Sequence, residues 1–97
     1  MLLSLEMKIM VNVYIPSPLR PLTGEQSEIK LEGGTVGEVM ENFKTRFPEA
    51  AARFFSPRAV RYLNLYLNEE DVRNLESMET PVHDGDELAI VFAVAGG

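Results

Sequence analysis

Along residues 8–15, "KIMVNVYI", Ile9, Val11, Val13 and Ile15 alternate with Lys8, Met10, Asn12 and Tyr14. This period of two predicts a strand with one buried face. "PSPLRPLTG" interrupts it, and its three prolines cannot donate to a sheet, so 16–24 reads as a loop. A shorter strand follows over 27–32, with Ile29 and Leu31 on one face. In "GGTVGEVMENFKTRF" the period changes to that of a helix. Val36, Val39, Met40, Phe43 and Phe47 form one apolar stripe, Thr35 is the N-cap, and Glu38 completes a capping box. Gly37 costs this helix about 1 kcal/mol relative to alanine, less than the cap and stripe return. Pro48 limits its continuation.

Residues 49–57 fit either another helical turn or an irregular packed loop. "VRYLNLYLN" then alternates Leu63, Leu65 and Leu67 against Tyr62, Asn64, Tyr66 and Asn68, a third strand. "NEED" breaks the pattern, a short edge segment is expected around Val72 and Arg73, and Asp84-Gly85 offers a tight turn. The last element, 87–94, is a nearly continuous apolar run that does not divide into buried and polar faces, which suits the centre of a sheet. The order is strand, strand, helix, strand, short strand, strand. The first pair would form a hairpin, the helix would cross the sheet, and the last strand would lie parallel to the first in the middle. This predicts an α+β domain with a mixed sheet of four to five strands and one main helix.

Composition narrows the possibilities. A chain of 97 residues makes one domain, 1–97, able to bury roughly 60 to 70% of its unfolded surface. Nine basic against fifteen acidic side chains leave a net charge of −6, which disfavours nucleic acid and anionic membranes and favours basic partners. The absence of cysteine rules out disulfides, thiolate metal sites and cysteine nucleophiles. "MLLSLEM" has neither the basic start nor the cleavage site of a signal peptide, and no run is long enough to span a membrane. A cytoplasmic protein is expected, with residues 1–7 as a disordered leader and Met7 an alternative start.

Few side chains suggest chemistry of their own. His83, beside Asp84 and Asp86, reads as a solvated turn histidine, because one imidazole and two turn carboxylates make a poor ligand set. No metal site is expected. Glu69, Glu70 and Asp71 suit either a solvated turn or a dock for basic residues, and Arg20 in the proline-rich loop is a candidate to face a partner. Gly33-Gly34 reads as the turn before Thr35.

The order of elements, together with the run "LNLYLNEEDVRNLESMETPVHDGDELAIVFAVAGG", resembles the ubiquitin-like β-grasp fold and, within it, the small sulfur carriers. These comprise the molybdopterin-synthase small subunit, the thiamine-pathway carrier and the cysteine-synthesis carrier. "NEEDVR" and the ending "AVAGG" look most like the cysteine type, and "VAGG" is shared with the molybdopterin type.

The resemblance implies a carrier rather than an enzyme. The carboxylate of Gly97 would be adenylated by an activating enzyme of the ubiquitin-activating type, which uses ATP. It would then become a thiocarboxylate that donates sulfur. The carrier itself would bind no cofactor. The acceptor would be a cysteine synthase holding pyridoxal phosphate, with a metalloprotease releasing the new cysteine, or else the molybdopterin-synthase large subunit. Residues 95–97 would be a flexible tail. Gly96 and Gly97, lacking a Cβ, suit a channel too narrow for other residues. Ala89, Val91, Ala93, Val94, Ala95 and Gly96 are the candidate partner-binding residues. Two other functions share the fold: a modifier joined to lysines through Gly97, and a plain binding module whose last residues do nothing.

Overall fold

Strand β5 (Glu87–Phe92) lies in the middle of a five-stranded sheet, with β1 (Met10–Tyr14) on one side and β3 (Leu63–Leu67) on the other. The structure, a computed structural model, describes residues 8–93. Beyond β1 lies β2 (Glu28–Glu32), and beyond β3 the two-residue β4 (Glu70–Asp71), giving the order β2-β1-β5-β3-β4. The predicted hairpin is present: β1 and β2 pair antiparallel from Met10 opposite Glu32 to Tyr14 opposite Glu28. Strand β5 runs parallel to β1 and antiparallel to β3.

The main helix, α1 (Val36–Arg46), starts as its sequence predicts, because the Thr35 hydroxyl accepts the Glu38 N–H at 3.1 Å. Glu38 does not complete the usual box. Its carboxylate accepts from the N–H of Gly34 at 2.7 Å, one residue before the cap. The backbone around this cap is also tied to a distant segment: Val36 N–H bonds Thr80 O, and Val82 N–H bonds Gly34 O. Gly37 has a packing role as well, since a Cβ there would stand 3.0 Å from the carbonyl oxygen of Met78. The helix accepts glycine's propensity cost where it crosses this backbone closely.

The core lies between α1 and one face of the sheet. Val36, Val39, Met40 and Phe43 pack there with Val11, Val13, Ile29, Leu31, Leu65, Leu67, Leu88 and Ile90. Phe47 is only partly buried.

Three local expectations are corrected and one open stretch is assigned. Residues 16–24 are not simply a loop, because Ser17–Leu22 forms a 3-10 helix with proline in its first turn and Leu19 fully buried. A proline's fixed φ is preorganised for helix entry, so its missing N–H costs nothing at that position. The same reasoning applies to Pro48, which opens a second helix, α2 (Pro48–Phe54), and so fills the stretch that residue pattern alone left open. The edge strand is displaced: β4 covers Glu70–Asp71, while Val72–Asn74 is a 3-10 turn with Val72 buried. Lastly, the two faces of β5 do separate. Leu88 and Ile90 point into the core, whereas Glu87 and Val91 are exposed and Ala89 is half-buried.

Candidate functional site

The outer face of β5 carries the predicted partner-binding residues Ala89 and Val91, followed by exposed Ala93. Pairing places Ala89 opposite Tyr14 on β1 and Tyr66 on β3, and Val91 opposite Asn64. The small Ala89 side chain thus stands at a position flanked by two tyrosines. Val91 beside it is 39% exposed, which leaves a β-branched side chain of a central strand available for contact. The remaining predicted residues, Val94, Ala95, Gly96 and Gly97, lie outside the described residues, as do the expected leader 1–7 and tail 95–97.

The electrostatics of this face are mainly acidic. Glu28, Lys30 and Glu32 alternate outward on β2, and Glu87 is exposed at the start of β5. Tyr14 donates its phenolic O–H to Glu87 Oε2 at 3.3 Å. Its pKa is raised, first by desolvation and then by the carboxylates of Glu28 and Glu87. At the far edge, Arg73 grips Asp71 through Nε at 3.1 Å and a second nitrogen at 2.7 Å. These bonds, with the Arg73 backbone N–H, hold the Asp71 carboxyl below its ordinary range. A depressed carboxyl pKa keeps the clasp closed at neutral pH, and it opens as pH falls through that lowered value.

Tyr14 and Tyr66 are the neighbours that residue pattern does not identify. Alternation puts both on the outward face, but which residue of β5 stands between them depends on register, which alternation does not specify.

The turn that begins β5 is structural. Asp84 Oδ1 accepts the Met10 N–H at 2.9 Å, and Asp86 Oδ2 accepts the His83 N–H at 2.8 Å. Asp86 Oδ1 accepts from Asn68 Nδ2 at 3.1 Å, and Asn68 Oδ1 in turn accepts the Glu87 N–H at 3.0 Å. Both carboxylates therefore tie β1, β3 and β5 together, and the His83 side chain stays 83% exposed, in line with the solvated-turn reading. Among the described residues, no group of three or more potential metal ligands comes together. Replacing Asp86 with alanine is expected to cost about 1 to 3 kcal/mol, because two donors lose a charged acceptor. The urea midpoint checks this, and an unchanged midpoint would remove the turn from the fold's supports.

Arg20 has a structural role in the proline-rich segment. Its Nε donates to Ile15 O at 2.9 Å and braces the 3-10 helix against the end of β1. In the acidic trio, Asp71 is taken by Arg73, and Glu70 Oε2 accepts from Asn74 at 2.9 Å. These two are committed to their own turn, which supports the solvated-turn reading. A groove of about 620 Å³ between α1 and β3 is lined by Met40, Val60, Leu63 and Met78. Its charged groups are engaged too: Glu41 pairs with Lys44 at 2.8 Å, and the Glu38 carboxylate accepts the Gly34 N–H. Among the described residues, no acid, base or nucleophile is left poised over it.

A mixed five-stranded sheet wrapped over one main helix, with parallel first and last strands at its centre, defines a ubiquitin-like β-grasp domain. The chain belongs to the ThiS family, whose model matches residues 13–97. It is 37% identical over 91 residues to the sulfur carrier protein CysO of Mycobacterium tuberculosis, covering 90% of this chain and 98% of that one. CysO in the crystal structure of the Amycolatopsis orientalis BexX/CysO complex is 40% identical, with a TM-score of 0.78 over 90% of this chain and 99% of that one. Small archaeal modifier protein 3 of Haloferax volcanii is 30% identical over 67 residues, or 68% of this chain and 73% of that protein. Among the described residues, no helix is long and apolar enough to cross a membrane.

Proposed function

We propose that this protein is a sulfur carrier whose reacting group is the carboxylate of Gly97. The observation that carries the reading is the course of β5. It passes through the centre of the sheet and leads through Ala93 into "VAGG", beside an open face of Ala89, Val91 and two tyrosines. Kinship with the CysO carriers supports the same reading.

A carboxylate is ionised at neutral pH and resists attack by a nucleophile. An adenylating enzyme of the ubiquitin-activating type removes that resistance. The carboxylate oxygen attacks the α-phosphorus of ATP and expels pyrophosphate. Hydrosulfide then attacks the carbonyl carbon and expels AMP, and loss of the S–H proton leaves the thiocarboxylate. No side chain of the carrier takes part. Cysteine synthesis is the favoured destination, in which the sulfur is passed to an activated serine held by a pyridoxal-phosphate synthase and a metalloprotease frees the product. Glu28, Glu32 and Glu87 around the open face, with the net charge of −6, favour partners with basic rims.

The related archaeal modifier supports a second reading, in which the acyl-adenylate is passed to a lysine as an isopeptide. Denaturing mass spectrometry of the protein isolated from its native host separates the two. A free species heavier by the difference between sulfur and oxygen is expected for the carrier. Lysine peptides linked through Gly97, without that species, would replace it by the modifier, and an unaltered mass under sulfur-replete growth would remove both.

A further inference from the structure

We propose that α2 and the turn after it clamp the root of the reactive arm, with Phe54 as the positioning residue, so that the length a partner must engage begins at Val94. The inference rests on the sulfur-carrier reading for its consequence but not for its geometry.

Strand β5 loses its neighbours in stages. Strand β1 accompanies it only from Glu87 to Ala89, opposite Asn12 to Tyr14. Past Tyr14, the Ile15 N–H bonds Ser27 O on the β2 side, and Pro16 has no donor to offer β5. From Ile90 onward the sheet holds β5 through β3 alone, and that pairing ends with Phe92 opposite Leu63. One further backbone bond follows, from the Ala93 N–H to Tyr62 O at 2.7 Å. Before Tyr62 the chain is no longer a strand, since Val60–Tyr62 is a 3-10 turn.

On the core side, the Phe92 ring packs on Phe54 with centroids 5.1 Å apart. Phe54 closes α2, which is anchored by fully buried Ala50 and, one residue later, by Phe55 against Phe43 at 5.6 Å. One segment, 48–62, therefore supplies both a ring contact and a backbone bond at the end of β5.

From Ala93 to the end there are Val94, Ala95, Gly96 and Gly97, a reach of at most about 14 Å when extended. If the clamp opens, Phe92 and Ala93 join the length that must be ordered on entry to a partner. Each extra residue ordered weakens binding by about five- to thirty-fold. The chemistry is unchanged once the arm is seated, so the loss belongs in KM.

The test is Phe54→Ala in the full chain, with Phe54→Tyr beside it to keep the ring. In Phe54→Ala, the Ala93 amide is expected to exchange with solvent about ten-fold faster or more, while the Leu88 amide keeps its protection. In ATP–pyrophosphate exchange with the adenylating enzyme, KM for the carrier is expected to rise about 25-fold or more, with kcat within about two-fold of the parent. Phe54→Tyr restores both. Unchanged exchange at Ala93 in folded Phe54→Ala overturns the inference, as does a fall in kcat at constant KM. Should the alanine variant fail to fold, Phe54→Leu takes its place, and the same two measurements support or overturn the inference on the same results. Exchange is read on the free protein, so an absence of any adenylation of the parent would sink the sulfur-carrier reading and leave the clamp standing.

Discussion

Deleting Gly96 and Gly97 is expected to abolish the sulfur-bearing form and to leave stability within about 0.5 kcal/mol of the parent. The described core is built between α1 and the sheet, where Val11, Val13, Val39 and Leu88 are fully buried. The proposed activation, by contrast, would require one particular carboxylate at the end of one particular length of chain. A deletion that moves this carboxylate back by two residues withdraws it from the attacking position by several ångströms. Misplacement of even about 1 Å can cost a hundred-fold in rate. Gly97→Ala keeps the length and adds one methyl group, so it tests the width of the partner's channel separately. A loss of about a hundred-fold in charging with an unchanged unfolding midpoint is the expected result. If the chain ending at Ala95 still acquired the sulfur mass, the Gly97 reading would be wrong; if it complemented a strain lacking the parent without that mass, the plain binding module would take its place.

Much of this architecture is legible in the residues. Alternation in 8–15 and 63–67 places Val11, Val13, Leu65 and Leu67 inward, and the structure buries all four. Thr35 and the stripe through Phe43 place the helix and its inner face correctly, because a cap and a 3.6-residue period are local signals. What fails is what depends on partners distant in sequence. Strand β5 reads as buried on both faces because Ala89 and Val91 are apolar, yet it is Leu88, Ile90 and Phe92 that face the helix layer. An apolar outward face on a central strand is what a partner surface requires, so the discrepancy falls on the candidate site itself. Helix α2 escapes because seven residues hold under two turns, too few for a period to show. The clamp at Phe92 escapes for a different reason: it joins residues 38 positions apart through a contact that no local pattern encodes.

Phe43→Ala is expected to be the most destabilising of these single substitutions, costing about 3 to 5 kcal/mol. Phe43 is the bulkiest of the fully buried side chains and sits where three parts of the fold meet. It projects from α1 into the core, stacks obliquely on Phe47 at 5.2 Å where the two helices join, and meets Phe55 just beyond α2 at 5.6 Å. Truncation would remove the transfer energy of a whole ring and leave a cavity whose walls are fixed by the sheet on one side. A domain of this size has a total stability of about 5 to 15 kcal/mol, so a large part of it would be lost. The unfolding midpoint should fall by at least about 12 °C. Phe43→Leu refills most of the volume and should recover over half of the loss, which separates cavity formation from the loss of aromatic contacts. A fall of less than about 1 kcal/mol in Phe43→Ala would mean that α1 and α2 close over the gap without strain, and that this corner of the core is not closely packed.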